Sequence, residues 1–420
     1  MSIRPARIAQ AKENGLNHSL DYPLLILIAA LIGFGLIMVF SASYAFAYVN
    51  TGNALHFFLR QVIWTVLGVI AMLAALSIDY RSWRALALPI MIFTIGLLVL
   101  VLIIGQVRFG AVRQFFEGSG QPSEFAKVSI IIYIAAWLTS RKQNLTQISY
   151  GLAPFAVLLG LMVSLIVAQP DISTSMLITL TAVVMFFVAG AAWIQVGLTL
   201  LLAGLTFGVV ITFSAHAQER IQIFLQTIVN PFNTTNFHLR EAIYALVEGG
   251  VFGQGLANSV HKQPPGLPAV HSDSIFAVVG EELGLIGSLL VLALFFFFAY
   301  RGMRVALRAP DDFGTLLALG ITTWLVSQAL INIAVITATF PFTGLPLPFF
   351  SYGGSSTLAN LIGVGILLNI SRGGGGGIDL SAYSRFWRRD GRTRLSDPDR
   401  GGSPARRRRA ASGSYARDRD

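Results

Sequence analysis

The chain has 420 residues, of which 54% are hydrophobic and only 12% are charged, and its formal net charge is +10. A soluble domain carries about 25% charged residues, so this composition excludes an ordinary soluble protein. The sequence contains no cysteine, which excludes disulfides and thiolate metal sites.

Ten apolar segments predict ten transmembrane helices, since a helix needs about 20 apolar residues to cross a bilayer. The first lies at 22–43; it is too long for a signal peptide and lacks a small-residue cleavage site. The other nine lie at 57–77, 86–105, 125–139, 151–168, 172–190, 193–213, 274–300, 314–338 and 354–370. One long loop, 214–273, separates the seventh helix from the eighth. The predicted fold class is an all-α polytopic membrane protein.

Lysine and arginine in the short loops predict the orientation of these helices. The N-terminal tail and the second, fourth and eighth loops contain Arg4, Arg7, Lys12, Arg81, Arg84, Arg141, Lys142, Arg301, Arg304 and Arg308. This pattern predicts that both termini are cytoplasmic and that the long loop is outside. Arg108 and Arg113 depart from the trend, because they fall in a predicted outer loop, and such cations suggest an anion-binding role.

The chain divides into an N-terminal cytoplasmic tail at 1–21, a membrane domain at 22–372 and a C-terminal cytoplasmic tail at 373–420. Five glycines at 373–377 predict a flexible linker, and from Arg372 onward thirteen arginines stand against six aspartates. Beside a membrane, the anionic cytoplasmic leaflet is the favoured partner of such a tail. Nucleic acid is the alternative, and disorder is compatible with both.

Polar residues gather at the predicted outer ends of the helices, first at the start of the eighth helix. Ser272 or Asp273 is a good N-cap there; alternatively, Asp273 is a general base where the long loop meets the membrane. Glu281 and Glu282 lie in the membrane part of the same helix, where ionisable groups are usually paired or functional. They point about 100° apart, so both cannot face one pocket.

A second polar cluster lies at 121–127. Proline and Glu124 suit the start of a helix, and Glu124 can pair with Lys127 three residues later. Lys127 is expected to point into the outer membrane zone beside Arg113. Two cations there would suit a lipid phosphate or pyrophosphate. The alternative is that the charged side chains at the helix start only pair with each other.

Two further clusters are weaker on their own. In the first, Asp171 follows Gln169 and Pro170 in a tight turn and is available as a helix cap. In the second, Ser351 and Tyr352 belong to a segment that combines turn residues with aromatic ones. A capped turn and an interfacial aromatic belt explain that segment equally well.

Taken together, these segments resemble the SEDS family (shape, elongation, division and sporulation), which includes FtsW and RodA. They occur in the family's order over about residues 20–372. The matching segments are DY at 21–22, MVFSAS at 38–43, QPSEFAK at 121–127, QPD at 169–171, NPF at 230–232, GGVFGQGL at 249–256, LPAVHSDSIFAVVGEELG at 267–284 and LPLPFFSYGGSS at 345–356.

The resemblance implies a ten-helix peptidoglycan glycosyltransferase that polymerises lipid II outside the bacterial cytoplasmic membrane, extending an undecaprenyl-linked glycan. The implied partners are a class B penicillin-binding protein and other divisome or elongasome proteins. The family's essential acidic residue falls on Asp273, which would take the proton of the attacking hydroxyl. A lipid II flippase and a non-enzymatic scaffold are alternatives. Because the polar clusters lie at one face, chemistry outside the membrane is favoured over flipping.

The resemblance also assigns the remaining candidate residues. Substrate contacts are expected at Arg113, Glu124, Lys127, Lys262, His271, Ser272, Ser351 and Tyr352, and structural or secondary roles at Asp171, Glu281 and Glu282. Arg113, Lys127 and Lys262 would neutralise the pyrophosphate. No dedicated metal-ligand set is visible, so a divalent cation, Mg or Mn, is expected only with the pyrophosphate.

The chain departs from the family's pattern near several of these contacts. A glutamine at 114 replaces the usual tryptophan, and Phe237-His238 replaces a Tyr-Gln pair. Glu241-Ala242 replaces a Gln-Ser pair, and Ser274 replaces a phenylalanine. The Asp21-Tyr22 pair and the long charged tail favour an FtsW-like division role over a RodA-like elongation role.

Overall fold

The computed structural model describes residues 20–108, 111–114, 120–142, 145–262 and 266–373. These residues belong to one unit, Met1–Ser381, and the second unit, Ala382–Asp420, lies outside them. Apart from residues 20, 21 and 373, the two predicted tails also lie outside the described residues.

The described residues form twelve α-helices and one β-hairpin, numbered here in chain order. They are α1 Tyr22–Thr51, α2 His56–Ser77, α3 Tyr80–Ile104, β1 Gln106–Arg108, β2 Ala111–Gln114, α4 Pro122–Arg141, α5 Ala153–Val167, α6 Ile172–Val188, α7 Trp193–Phe213, α8 Ala215–Val229, α9 Phe237–Gly249, α10 Ile275–Arg308, α11 Asp312–Ile336 and α12 Gly354–Ser371. A π-helical turn, Ile148–Leu152, leads into α5, and a 3-10 turn, Pro231–Asn233, separates α8 from α9.

Eight helical stretches within the described residues are long and apolar enough to cross a membrane. They are α1, α2, α3, the π-turn with α5, α7, α10, α11 and α12. Helix α6 is apolar but has only 17 residues. This is a multi-pass membrane protein, as the apolar segments predicted.

Each of the ten predicted helices corresponds to a helix of the structure, but several of the observed helices are longer than predicted. Helix α10 continues to Arg308 rather than ending at 300, and α3 begins at Tyr80 rather than 86. The predicted helix ends coincide with the ends of the apolar segments, because those segments were the basis of the prediction. The observed starts instead follow capping carboxylates: Asp21 accepts the backbone N–H of Leu24, and Asp79 that of Arg81.

The long loop contains more structure than its sequence predicted. Helices α8 and α9 both lie within this segment, which the sequence analysis treated as a loop. The hairpin of β1 and β2 was not predicted either; its strands pair antiparallel, with Val107 opposite Val112.

The core of the bundle lies around α11 and α12. In the most apolar stretch of α12, 72% of the residues are buried, and in that of α11, 61%, whereas the figure for α7 is only 6%. Helix α7 is therefore at the periphery. Helices α4, α6 and α10, which carry three of the polar clusters, pack against α11.

Helix α10 is interrupted at Gly284, and the glycine-rich loop at 250–255 fills the interruption. Backbone N–H groups of the loop donate to the carbonyls of Glu281 and Glu282, both at 2.9 Å. A carbonyl of the loop accepts the N–H of Leu285, also at 2.9 Å. The loop thus replaces the helical hydrogen bonds that the interruption removes.

Glycine is required on both sides of this junction. Gly284 has a φ of +67°, and a Cβ there would lie 2.4 Å from the backbone nitrogen of Gly253. A Cβ on Gly253 would lie 2.2 Å from the carbonyl oxygen of Glu282. The two glycine-containing segments of the sequence therefore pack against each other. We call residues 249–255 and 280–286 the Gly284 joint.

Candidate active site

A cavity of about 600 Å³ lies where four helix starts and two loops meet. We call it the polar pocket. Its walls come from the first turns of α2, α4, α6 and α12, from the segment before α10, and from the loop before α12. The lining residues are Phe57, Arg60, Trp64, Gly120, Gln121, Glu124, Asp171, Thr174, His271, Ser272, Asp273, Gly344, Leu345, Pro346, Tyr352, Gly353, Gly354, Ser355 and Ser356.

The backbone before α10 is held to its surroundings at three successive residues. Tyr352 donates its backbone N–H to the carbonyl of His271, at 2.8 Å. The hydroxyl of Ser351 donates to the carbonyl of Ser272, at 2.7 Å. The amide of Asn332 donates to the carbonyl of Asp273, at 3.0 Å. Residues distant in sequence therefore fix the path of the chain through Asp273.

Asp273 is half-buried in the pocket wall, just before α10. The N-cap position of α10 is occupied by Ser274, so the expectation that Ser272 or Asp273 is the cap is wrong. The carboxylate stands beside Gly344, where an added Cβ would lie 3.4 Å from Oδ2 of Asp273. Gly344 has a φ of +69°, which favours glycine, so residue 344 itself places no side chain beside the carboxylate.

Aromatic rings form the wall next to Asp273. The imidazole of His271 stacks on Phe57 with ring centroids 4.6 Å apart, and Tyr352 meets it edge-on at 5.3 Å. Burial lowers the pKa of His271 to about 4, so the ring is neutral at pH 7. Burial also raises the pKa of Tyr352. The wall is therefore flat and uncharged.

Glu124 lines the pocket, but the prediction that Lys127 points into the outer membrane zone is wrong. Lys127 is completely buried, and its ammonium donates to Glu124 and to Oε1 of Gln328, both at 2.9 Å. It also lies 5.4 Å from the ring centroid of Trp324. Partners on α11 draw the charge into the bundle, and Lys127 holds Glu124 in place.

Asp171 also lines the pocket and is the predicted helix cap. One carboxylate oxygen accepts the backbone N–H of Thr174 at 3.2 Å, which caps α6. The other accepts the amide of Gln121 at 3.2 Å and the hydroxyl of Ser123 at 3.3 Å. This carboxylate links the starts of α4 and α6.

In the structure, the side chains of Ser351 and Lys262 both bind other residues of the protein. The single hydroxyl proton of Ser351 goes to Ser272, and the oxygen accepts the N–H of Leu347 at 2.7 Å. Lys262 is buried and pairs with Glu282 at 2.8 Å. Neither side chain lines the polar pocket, so the arrangement gives no support to the prediction that they contact substrate.

The two acids of the Gly284 joint are fully buried and bind different partners. The Glu281 carboxylate accepts the hydroxyl of Ser259 and the backbone N–H of Val260, the latter at 2.7 Å. The Glu282 carboxylate accepts the hydroxyl of Ser41 at 2.6 Å, besides the ammonium of Lys262. The sequence predicted that the two would diverge, and neither lines the pocket.

One group of possible metal ligands occurs among the described residues. Ligand atoms of Glu248, His261 and Glu281 lie within 4.8 Å of one another. Glu281 is already saturated by hydrogen bonds, and Glu241 reaches the same imidazole at 3.7 Å. Three carboxylates therefore surround one imidazole, and this cluster does not line the polar pocket.

Arg60 is a pocket residue that the sequence analysis missed. It lies in the second turn of α2 and is exposed to the cavity. Its charge acts to lower the pKa of Tyr352, against the larger effect of burial. The sequence does show Arg60 as a single cation in an otherwise apolar helix, a pattern typical of functional residues. Arg113 lies on β2, and its side chain falls outside the described part of the chain.

Residues 22–374 match a family model described as "Cell cycle protein", which covers FtsW, RodA and SpoVE. A protein of Trichlorobacter lovleyi named "Probable peptidoglycan glycosyltransferase FtsW" is 39% identical over 84% of this chain and 93% of its own length. Stage V sporulation protein E of Bacillus subtilis is 40% identical over 84% of this chain and 97% of its own.

A solved structure has the same fold. It comes from work on the structural coordination of polymerization and crosslinking by a peptidoglycan synthase complex. The TM-score is 0.71 at 26% identity, and the match covers 85% of this chain and 99% of the other. These similarities confirm the resemblance found in the sequence. The chain belongs to the FtsW/RodA/SpoVE family.

Proposed function

We propose that the polar pocket is the active centre of a peptidoglycan glycosyltransferase and that Asp273 is its general base. The named relatives supply the activity. The assignment to Asp273 depends chiefly on one observation: its carboxylate lines the pocket on a backbone segment held at three consecutive residues. A base must be held in place before it can abstract a proton efficiently.

In the proposed reaction, a sugar hydroxyl of lipid II attacks the anomeric carbon of the undecaprenyl-linked glycan. Asp273 takes the hydroxyl proton as the new glycosidic bond forms. The bond from the anomeric carbon to the lipid pyrophosphate breaks, and the pyrophosphate leaves with the bonding electrons. The neutral ring of His271 and the adjacent aromatic side chains form the wall against which the sugar lies.

Cations in or near the pocket would stabilise the leaving pyrophosphate. Arg60 lines the cavity, and Arg113 retains the role predicted from the sequence. The buried ammonium groups of Lys127 and Lys262 are taken up by Glu124 and Glu282. We therefore assign the pyrophosphate to the two arginines. A divalent Mg or Mn cation would enter with the pyrophosphate rather than occupy a site of its own.

The proposed topology has ten spans with both termini in the cytoplasm. It adds α4 and α6 to the eight stretches that meet the length and composition of a span. The basic loops support the orientation. It places the polar pocket and the long loop on the outer face, where lipid II would be polymerised. A class B penicillin-binding protein is the proposed partner, as the similarity to a peptidoglycan synthase complex suggests.

The test is glycan formation from labelled lipid II by the purified full-length protein with its cognate penicillin-binding protein. Loss of a general base typically costs about 10²- to 10⁴-fold, so we expect Asp273→Asn to make at least about 100-fold less polymer. Asp79→Asn is the matched control, because it changes a carboxylate that caps α3 outside the pocket.

Equal polymer from wild type and Asp273→Asn would remove Asp273 from the mechanism. If neither protein made polymer but labelled lipid II crossed the membrane of vesicles containing wild type, the activity would be flipping rather than polymerisation.

A further inference from the structure

Two side chains form a hydrogen bond next to Asp273, behind the pocket wall. The hydroxyl oxygen of Ser274 lies 2.8 Å from Nε2 of His238, which is on α9, and 2.9 Å from the carbonyl oxygen of Pro268. Ser274 is completely buried. A carbonyl can only accept, so the single hydroxyl proton goes to Pro268. Nε2 of His238 must therefore carry a hydrogen and donate it to Ser274.

The charge state of His238 agrees with this arrangement. Burial lowers its pKa to about 4, so the ring is neutral at pH 7 and has one N–H. That hydrogen is on Nε2, and Nδ1 is buried without a hydrogen-bond partner. His238 is therefore in a single tautomer, protonated on Nε2, which donates one hydrogen bond to Ser274.

The same ring also contacts the loop that precedes α12. His238 meets Phe342 edge-on with ring centroids 4.7 Å apart. Phe342 lies two residues before Gly344, the residue beside which the carboxylate stands. His238 thus touches both the residue after Asp273 and the loop facing it.

The contacts of His238 matter because the backbone of the turn before α10 is strained. Ala269 has a φ of +48° in this turn, a conformation that side-chain-bearing residues rarely adopt. The three bonds to the carbonyls of residues 271–273 hold the backbone up to Asp273. On the other side of Asp273, the side chain that fixes the chain is Ser274, which His238 holds.

We propose that His238 is a positioning residue: its Nε2–H bond to Ser274 and its packing on Phe342 hold the Asp273 carboxylate in the orientation needed to abstract the proton. This inference rests on the proposed role of Asp273. A displacement of about 1 Å at a catalytic group can cost about 100-fold in rate.

Three variants of the full chain separate this role from general packing. In His238→Gln the amide nitrogen can take the place of Nε2 and donate to Ser274. In His238→Asn the amide nitrogen corresponds to Nδ1 and falls short. Polymer formation from labelled lipid II, with the penicillin-binding protein present, gives kcat and KM. We expect Asn to lower kcat at least about tenfold with KM within about twofold, and Gln to keep kcat within about threefold.

Ser274→Ala removes the acceptor of the same bond and also the hydrogen bond to Pro268, so it should lower kcat at least as much as His238→Asn does. The double variant should be little worse than Ser274→Ala alone, because that substitution already removes the bond to His238. Equal losses in Gln and Asn, or a loss in Asn that merely follows the fraction of unfolded protein, would overturn the proposal.

The Asp273→Asn variant, assayed in parallel, separates this inference from the proposed function. If Asp273→Asn is inactive while His238→Asn has the kcat of wild type, only the positioning role fails. If Asp273→Asn is as active as wild type, the proposed base fails, and the positioning role fails with it whatever His238→Asn does.

Discussion

The polar pocket and the Gly284 joint both contain carboxylates at helix ends or interruptions, yet they differ in what surrounds those carboxylates. Glu281 and Glu282 are sealed in the protein, and hydroxyl, backbone or ammonium donors occupy them. Asp273 is half-buried and faces a cavity of about 600 Å³. The carboxylates of the joint hold the fold together from buried positions, whereas the Asp273 carboxylate borders the cavity. Access to a cavity, more than residue type, separates the two regions.

The largest expected effect is on stability, and it comes from a buried carboxylate of the Gly284 joint. Lys262→Met leaves the Glu282 carboxylate buried without its cation, and loss of one partner of a buried pair typically costs about 3–5 kcal/mol. We expect the free energy of unfolding, measured by denaturant titration in detergent, to fall by that amount. The double variant Lys262→Met/Glu282→Gln should lose less, because it removes the unpaired charge. A double variant less stable than the single one would show that the pair is not the source of the effect.

A smaller effect is expected at the cavity, and it should fall on catalysis instead of stability. Arg60→Met removes the cation that lines the polar pocket, and a charged hydrogen bond is worth about 1.5–3 kcal/mol. We expect kcat for polymer formation to fall about tenfold or more, with little change in the unfolding midpoint. Arg84→Met is the control, since Arg84 is an exposed arginine of α3 outside the cavity. Equal losses of kcat in the two variants would mean that Arg60 acts only through general surface charge.

The smallest effect comes from the two buried imidazoles. His271 and His238 have pKa values near 4, below the ordinary 6.5, so the unfolded chain binds more protons than the folded one between these values. Stability should therefore fall as pH decreases from about 6.5 to 4. Unfolding midpoints of wild type and His271→Phe across this range test it, and the variant should lose less stability on acidification. The same slope for both proteins would contradict the assignment.

Much of the fold could be predicted because apolar blocks in a membrane protein report directly on its helices. Six candidate residues also line the polar pocket, since they lie in short segments near the starts of helices: Glu124, Asp171, His271, Ser272, Asp273 and Tyr352. The sequence could not show which residues interact when they lie far apart in the chain. Lys127 turns inward because Gln328, 201 positions away, accepts a hydrogen bond from its ammonium, and no local pattern predicts that.

The Gly284 joint was missed for a related reason. Its glycines allow two stretches of backbone that are distant in sequence to come into contact, and the sequence does not show which stretches meet. Ser351 was assigned to substrate from the family resemblance, although its hydroxyl holds Ser272. Arg60, by contrast, could have been found from the sequence as a cation in an apolar helix.

The most direct test of this account compares Asp273→Asn with Glu282→Gln, scoring polymer made from labelled lipid II per unit of folded protein. Both substitutions replace a carboxylate by an amide of the same shape. We expect Asp273→Asn to lose polymerisation per folded molecule. We expect Glu282→Gln to lower the unfolding midpoint but to keep activity per folded molecule. A stable, inactive Glu282→Gln beside an active Asp273→Asn would place the chemistry at the joint and contradict the account.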